Sequence, residues 1–517
     1  MKKLLFAFLF LPLLLNGAEV NYPALNDIAK EHLINLINID TSQPDPNETL
    51  AVRYIYKVLN KNKADWDIYR AEKPRGNLIA VLKADKEYAK ENKEPALILI
   101  AHLDTAPVQE GWAVAPTKAT IKDGKIYGLG STDDKNYAAI NLTILTWLKQ
   151  NNIKLKRDII FLFTADEENG SAKGIKFLYD KYPQKLQAGF ALNEGGGIIK
   201  GENGIKDILF LEAATKMYMD ILVTARGEGG HSAMPGQTNA IYKLSQALSV
   251  IENYQRPLRL SPFTKNFFDR IFAYQDDDAK TTISLLNSAD PMQAMQAAKI
   301  ISEDPFFKAQ LMDTISPTIV TSGVDANTSS SEAYATLNCR LLPDSDPNKF
   351  FDSLSALFAA DPLVTLSIIE KPELPFPQPP ANSEDLLFKS LEAAAAKVMP
   401  GSLTIAGMTP ASSESEFLRR HGVITYGIGP VMPGETEGPH QPNENIAEED
   451  FYQQLKLTLE TVLNFTEVGR QLPVITAPAP AIIKPAIPPT ITPAPAAAPA
   501  PQPQQTAATA AQPTAAK

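Results

Sequence analysis

Four short apolar runs, each breaking off in polar residues, constrain this chain more than any other feature. They are NLIAVLKA (77–84), ALILIAHLDT (96–105), DIIFLFTADEE (158–168) and GFALNEGGG (189–197). A strand that is apolar at successive positions is buried on both faces and belongs to a sheet covered by helices. Helical stretches at 137–149 and 172–182 lie between the runs. The expected fold is α/β. Ligands in such folds bind beyond the carboxyl ends of the strands, which is where these polar clusters fall.

After Glu212 the pattern changes. MDILVTARGEG (219–229) alternates, a helical stretch follows from about Thr238, and SEAYATLNCRLLP (331–343) alternates strictly. Ala333, Ala335, Leu337, Cys339 and Leu341 share one face; Tyr334, Thr336, Asn338 and Arg340 share the other. Period two marks an antiparallel sheet with one face in a core, so Cys339 is expected as a buried thiol rather than a nucleophile. KPELPFPQPP (371–380) reads as a linker, and the α/β pattern resumes with ITYGIGP (424–430). An α+β domain at 213–371 is thus expected to interrupt an α/β domain made of 19–212 and 372–470.

The two ends read differently. Residues 1–18, MKKLLFAFLFLPLLLNGA, have the layout of a secretory signal peptide, with an apolar run too short to span a bilayer comfortably. The expected location is periplasmic or secreted, with no transmembrane helix after cleavage. Residues 471–517 are rich in proline and alanine, favour extended polyproline II and cannot bury a core; a disordered tail is expected.

Composition narrows the chemistry. A formal net charge of -10 argues against binding nucleic acid, and one cysteine excludes a disulfide framework or a thiolate zinc module. With only five histidines in 517 residues, their positions carry information. His102 and Asp104 stand two apart at a strand end, so they share a side, and the Asp104 carboxylate is expected to orient the His102 ring. In YGLGSTDDKNYAA, Gly128 and Gly130 allow a turn presenting Asp133 and Asp134 at a helix start; a plain helix cap would read the same way. Asp166, Glu167 and Glu168 crowd one strand end, as a solvated loop or around a positive charge. Glu194 ends another apolar run, and His440 lies in the turn-rich GPHQPNENI. Two imidazoles with several carboxylates and no thiolate suit zinc or a related divalent ion.

Taken in order, HLDTAP, GLGSTDDK, TADEENG, NEGGG, GHSAMP and PHQPNENI resemble the successive signatures of one zinc metallopeptidase family. That family includes aminoacylase-1, carboxypeptidase S, the carnosine dipeptidases and acetylornithine deacetylase, and the resemblance runs from about Ala24 to Leu463. It implies a zinc-hydrolase catalytic domain with a mixed sheet between helices, interrupted by an inserted α+β lid domain. It implies two Zn2+ per chain, with another divalent ion such as Co2+ as the alternative. One ion would take His102, Asp133 and Glu194; the other would take His440, Asp133 and Glu168. Glu167 would be the general base, with water between the metals as the attacking group. His231 resembles a lid histidine that stabilises the oxyanion, often from the second subunit of a homodimer. Arg340 matches an arginine for the substrate carboxylate, and Asn327 matches an asparagine that helps hold the substrate.

One stretch departs from the family. Where many relatives carry a Gly-Thr-Asp-x-Arg-like run, this chain has ASSESEFLRR (411–420), with Glu416 standing near the usual arginine. A changed specificity is expected rather than lost catalysis. The expected activity is hydrolysis of the amide bond in small peptides, carboxypeptidase-like, or in N-acyl amino acids. The alternatives are a strict dipeptidase, or a metal- or peptide-binding module that does not catalyse.

Overall fold

The computed structural model describes residues 20–201, 207–272, 277–372, 384–431 and 438–473. The signal-peptide and tail readings, and most of the linker at 371–380, lie outside the described residues. Among the described residues, no helix is long and apolar enough to cross a membrane.

The chain builds a large mixed sheet and a smaller antiparallel one. Across the large sheet the strands run Trp66–Arg70, Gly76–Leu82, Ile159–Thr164, Leu97–His102, Phe190–Asn193, Ile424–Gly427, Ile208–Thr215 and Leu403–Thr409, with Gly197–Ile199 pairing off this path to Ile208–Thr215. Its central strands are mutually parallel: Leu97–His102 pairs in parallel with both Ile159–Thr164 and Phe190–Asn193, which pairs in parallel with Ile424–Gly427. Of the four apolar runs expected to be buried on both faces, the second and third are buried at every position of the strands Leu97–His102 and Ile159–Thr164. Leu99, Ala101, Phe161 and Phe163 face a layer that includes the helices Tyr22–Ile37, Lys135–Gln150 and Glu448–Thr466. Ile98, Ile100, Ile160 and Leu162 face Ile175–Lys181 and Glu414–Arg420.

This arrangement fixes the site. Parallel strands end on the same edge, and the register sets His102 opposite Thr164. The residues that follow each strand, including Asp104, Asp166, Glu167, Glu168 and Glu194, are therefore delivered to one edge.

At Lys216 the chain leaves the large sheet and enters the small one, whose order is Thr314–Ser322, Glu332–Leu341, Met217–Arg226 and Val364–Glu370. The alternation along Glu332–Leu341 is strict, with Cys339 fully buried and Arg340 half-buried on the opposite face. Burial pushes the Cys339 thiol up to about 12, which suppresses the thiolate. The inner face packs on the helix Ala240–Glu252. Between that helix and the strand Thr314–Ser322 lie four further helices, Pro262–Phe272, Asp277–Leu286, Pro291–Ile301 and Pro305–Leu311. These pack Phe267, Phe268 and Phe307 against Phe210 and Ile405, on the outer strands of the large sheet.

The turn after Glu194 depends on a close backbone approach. Gly196 has φ +62, and a Cβ there would lie 2.2 Å from the Phe210 carbonyl oxygen and 2.9 Å from the Glu212 nitrogen. Gly196→Ala is expected to cost about 2 kcal/mol or more of stability, from the left-handed backbone and the clash together. Thermal unfolding beside the wild type measures this; an unchanged midpoint would contradict the packing.

Candidate metal centre

Asp133 sits at the middle of the cluster. It belongs to the turn before the helix Lys135–Gln150, where Gly130 adopts φ +85 and the Asp133–Asp134 peptide is cis. Its two carboxylate oxygens face different histidines: Oδ1 lies 2.9 Å from His102 Nε2, and Oδ2 lies 3.1 Å from His440 Nε2. Each histidine has a second carboxylate. Glu194 Oε1 is 3.8 Å from His102 Nε2, and Glu168 Oε2 is 3.0 Å from His440 Nε2. The structure brings together all five expected ligands.

The donor set fits a pair of divalent ions. Ligand atoms bound about 2.0–2.1 Å from a tetrahedral zinc stand roughly 3.3 Å from one another, and the four distances bracket that value. His102 donates Nδ1–H to the Asp104 carbonyl oxygen at 3.0 Å, which leaves the Nε2 lone pair facing Asp133 and Glu194. Glu168 Oε1 is buried with no hydrogen-bond partner, an orphaned acceptor beside His440 that a cation would satisfy.

Electrostatics point the same way. Burial works against a charge on His102, but Glu194 and Asp133 outweigh it and hold the imidazole well above its ordinary range. Asp133 and Glu168 hold His440 up at about 10. Burial drives the Glu167 and Glu194 carboxyls well up. Asp133 is held low instead, by the His102 and His440 imidazoles against its burial. The histidines and the Glu167 and Glu194 carboxyls around it are drawn toward protonation, as in a cluster short of positive charge.

Two sequence expectations are corrected. The carboxylate of Asp104 does not take the His102 ring proton; its nearer oxygen is 3.7 Å away, and the backbone carbonyl does that work. The chain turns past the end of the strand, so the Asp104 carboxylate points to the next strand end. There Oδ1 accepts the Glu167 N–H at 3.1 Å and Oδ2 the Glu168 N–H at 3.2 Å. The helix-cap reading of Asp134 also fails. Asp134 makes no side-chain cap bond, and its Oδ2 accepts the His102 backbone N–H at 3.2 Å.

Arg340 reaches the site from the small sheet. It lines a cavity of about 720 Å³ together with Glu167, Glu168, His440 and the segment Ala411–Glu414. Its guanidinium lies over the Tyr218 ring, 4.6 Å from the centroid, and Nη1 donates to Ser412 Oγ at 3.1 Å. His231 and Asn327 are brought together with each other but not to this cavity. Gly230–His231 pairs with Thr328–Ser329, the Asn327 carbonyl accepts the Ser232 N–H at 2.8 Å, and both residues are exposed. Of the remaining histidines, His32 is buried against the Tyr54 hydroxyl at 2.7 Å, and His421 is exposed beside Tyr179 and Phe417.

The supporting residues were missed from sequence. Glu444 is buried and accepts from Gly130 N–H at 3.0 Å, Thr132 N–H at 2.8 Å and the Thr132 hydroxyl at 2.9 Å, tying the His440 loop to the Asp133 turn. Behind the Glu167–Glu168 turn, buried Arg75 pairs with Glu48 and reaches Asp166 Oδ1 at 3.0 Å. Asp166 holds φ +69, its Oδ2 accepting the Lys173 N–H at 2.9 Å. The turn is therefore clamped by Asp104 on one side and Arg75 on the other. Glu444 alone had a signal, as part of PNEN beside His440.

Comparison with known proteins places these features. The model of "Peptidase family M20/M25/M40" matches residues 98–464. The N-fatty-acyl-amino acid synthase/hydrolase PM20D1 of Mus musculus is 24% identical over 398 residues, 74% of this chain and 77% of its own. An M20 family metallo-carboxypeptidase of Sulfolobus solfataricus superposes with TM-score 0.61 at 18% identity, covering 84% of this chain and 98% of that one. Human carnosine dipeptidase 1 superposes with TM-score 0.57 at 15% identity, covering 86% and 98%.

Arg75→Met should be strongly destabilising, because it leaves Glu48 and Asp166 as buried carboxylates without their counter-charge; about 3–5 kcal/mol is expected. Adding Glu48→Leu should return part of that loss. Unfolding measurements on the single and double variants decide it, and a single variant as stable as the wild type would refute the clamp.

Proposed function

The chain belongs to peptidase family M20/M25/M40, a metal-dependent family of peptide- and amide-bond hydrolases, and from that footing we propose that it is an exported dinuclear zinc hydrolase. Its substrates are small peptides, cleaved in carboxypeptidase fashion, or N-acyl amino acids. The observation that carries this reading is Asp133, whose two oxygens each meet a different histidine while each histidine meets its own second carboxylate. His102, Asp133 and Glu194 would hold one ion; His440, Asp133 and Glu168 the other. When bound, such a pair supplies Lewis-acid charge and lowers the pKa of water.

The chain's own residues do the rest. Glu167, on the same turn as Glu168, lines the cavity and acts as general base: its carboxylate accepts a proton from the attacking water and delivers it to the leaving amine. A binding module without catalysis has no use for such a carboxylate. Arg340 holds the substrate carboxylate, its planar guanidinium set by Tyr218 and Ser412 for two parallel hydrogen bonds. His231 Nδ1 accepts the Ala233 N–H at 3.1 Å, so its ring proton sits on Nε2, as a donor to an oxyanion requires. Its exposed place beside Asn327 suits action on the cavity of a second copy, in a homodimer joined through the small sheet as a lid. Export rests on residues 1–18, and the buried Cys339 offers no thiol to an oxidising compartment.

Incubation with matched dipeptides and N-acyl amino acids, with and without chelator, tests this reading. Glu167→Gln should lower kcat by about 100- to 10,000-fold while metal content stays at the wild-type level; turnover above a tenth of wild type would refute the base. Arg340→Ala should raise KM about 10- to 100-fold for substrates with a free carboxylate and leave amidated ones nearly unaffected. Equal effects on both would argue against the clamp.

A further inference from the structure

The cavity beside the metal centre is polar in a way that bears on its substrate. Among the described residues, its apolar side chains are those of Tyr218, Phe417, Pro372 and Ala411. The two aromatic rings are already engaged. The Arg340 guanidinium covers Tyr218 at 4.6 Å, and Phe417 packs on Tyr179 and His421 at centroid distances of 5.2 and 4.4 Å. Among the described residues, little apolar wall is left for a hydrocarbon chain.

An ion pair stands there instead. Glu416 and Arg420, one turn apart on the helix Glu414–Arg420, contact each other and both line the cavity. Their side chains are only 10% and 15% exposed. Glu416 also lies close enough to Arg340 to act on its charge.

A buried pair keeps its favourable energy only while its charges can still be solvated or hydrogen-bonded. An alkyl chain laid against it would remove water and return nothing. A substrate carrying amino, hydroxyl or carboxylate groups would replace that water.

Resting on the hydrolase reading above, we propose that the Glu416–Arg420 pair makes this cavity selective for short substrates with polar or charged groups on both sides of the scissile amide, dipeptides foremost. The same pair closes it to long-chain N-acyl amino acids. This chain would then differ in substrate from the fatty-acyl handling that the name of its mouse relative records.

Three substrates sharing one leaving amino acid test the inference: alanyl-phenylalanine, N-acetyl-phenylalanine and N-dodecanoyl-phenylalanine. The wild type should favour the dipeptide over the dodecanoyl compound by about 100-fold in kcat/KM. Glu416→Leu combined with Arg420→Leu keeps the net charge and should narrow that ratio at least about tenfold, mainly by faster dodecanoyl hydrolysis. A wild type that cleaves the dodecanoyl compound as well as the dipeptide overturns the inference while leaving the hydrolase reading intact. So does a folded double variant with an unchanged ratio. Cleavage of none of the three overturns the hydrolase reading and this inference with it. The wild-type ratio needs no variant, so misfolding of the double variant cannot shield the claim.

Discussion

Negative charge gathered at one edge of a parallel sheet is the constraint on which the rest of this structure depends. Leu97–His102, Ile159–Thr164 and Phe190–Asn193 stop on the same side, so Asp104, Glu167, Glu168 and Glu194 arrive together, and the Asp133 turn adds to them. Like charges this close in a partly buried place cannot all stay ionised without a positive partner. Two histidines supply part of the balance, drawn up to bind protons by the same carboxylates. A divalent ion at each of the two donor sets would take over that role and release the protons.

Around this edge lies a second ring of polar residues that fixes the first. Asp104 holds the backbone of Glu167 and Glu168, Glu444 holds Gly130 and Thr132, and Asp134 holds the His102 N–H. Arg419 donates to Glu212 Oε1 at 2.9 Å under the loop that carries Glu194. Each contact satisfies a buried donor and also fixes where a carboxylate can point. Such a frame keeps ligand positions from relaxing apart under their own repulsion.

How much of this was legible in the sequence follows from how local each signal was. His102, Asp133, Glu168 and Glu194 stood out as candidates because each ends or follows an apolar run or a glycine turn, and strand geometry sends the acids after the runs to one edge; His440 and the assignment of all five as ligands came from the family resemblance. The alternation that buries Cys339 and half-exposes Arg340 was equally local. The frame was not legible, because its partners are distant in sequence: Arg75, in EKPRGN, looks like a turn residue until Asp166 is placed beside it. Asp104 was misread for a related reason. Side-chain alternation on a strand predicts where its carboxylate points only while the strand continues, and this strand ends at His102. The four helices between Pro262 and Leu311 gave no warning that they would pack on the large sheet, since phenylalanine spacing marks an apolar face without naming its partner.

The central claim is that Asp133 serves two metal ions at once, and metal content per chain tests it most directly. Elemental analysis of the purified protein should find two ions per chain. Asp133→Asn should lose both, whereas Glu194→Gln and Glu168→Gln should each lose mainly one. A wild type with a single ion, or a folded Asp133→Asn variant that retains two, would contradict the account.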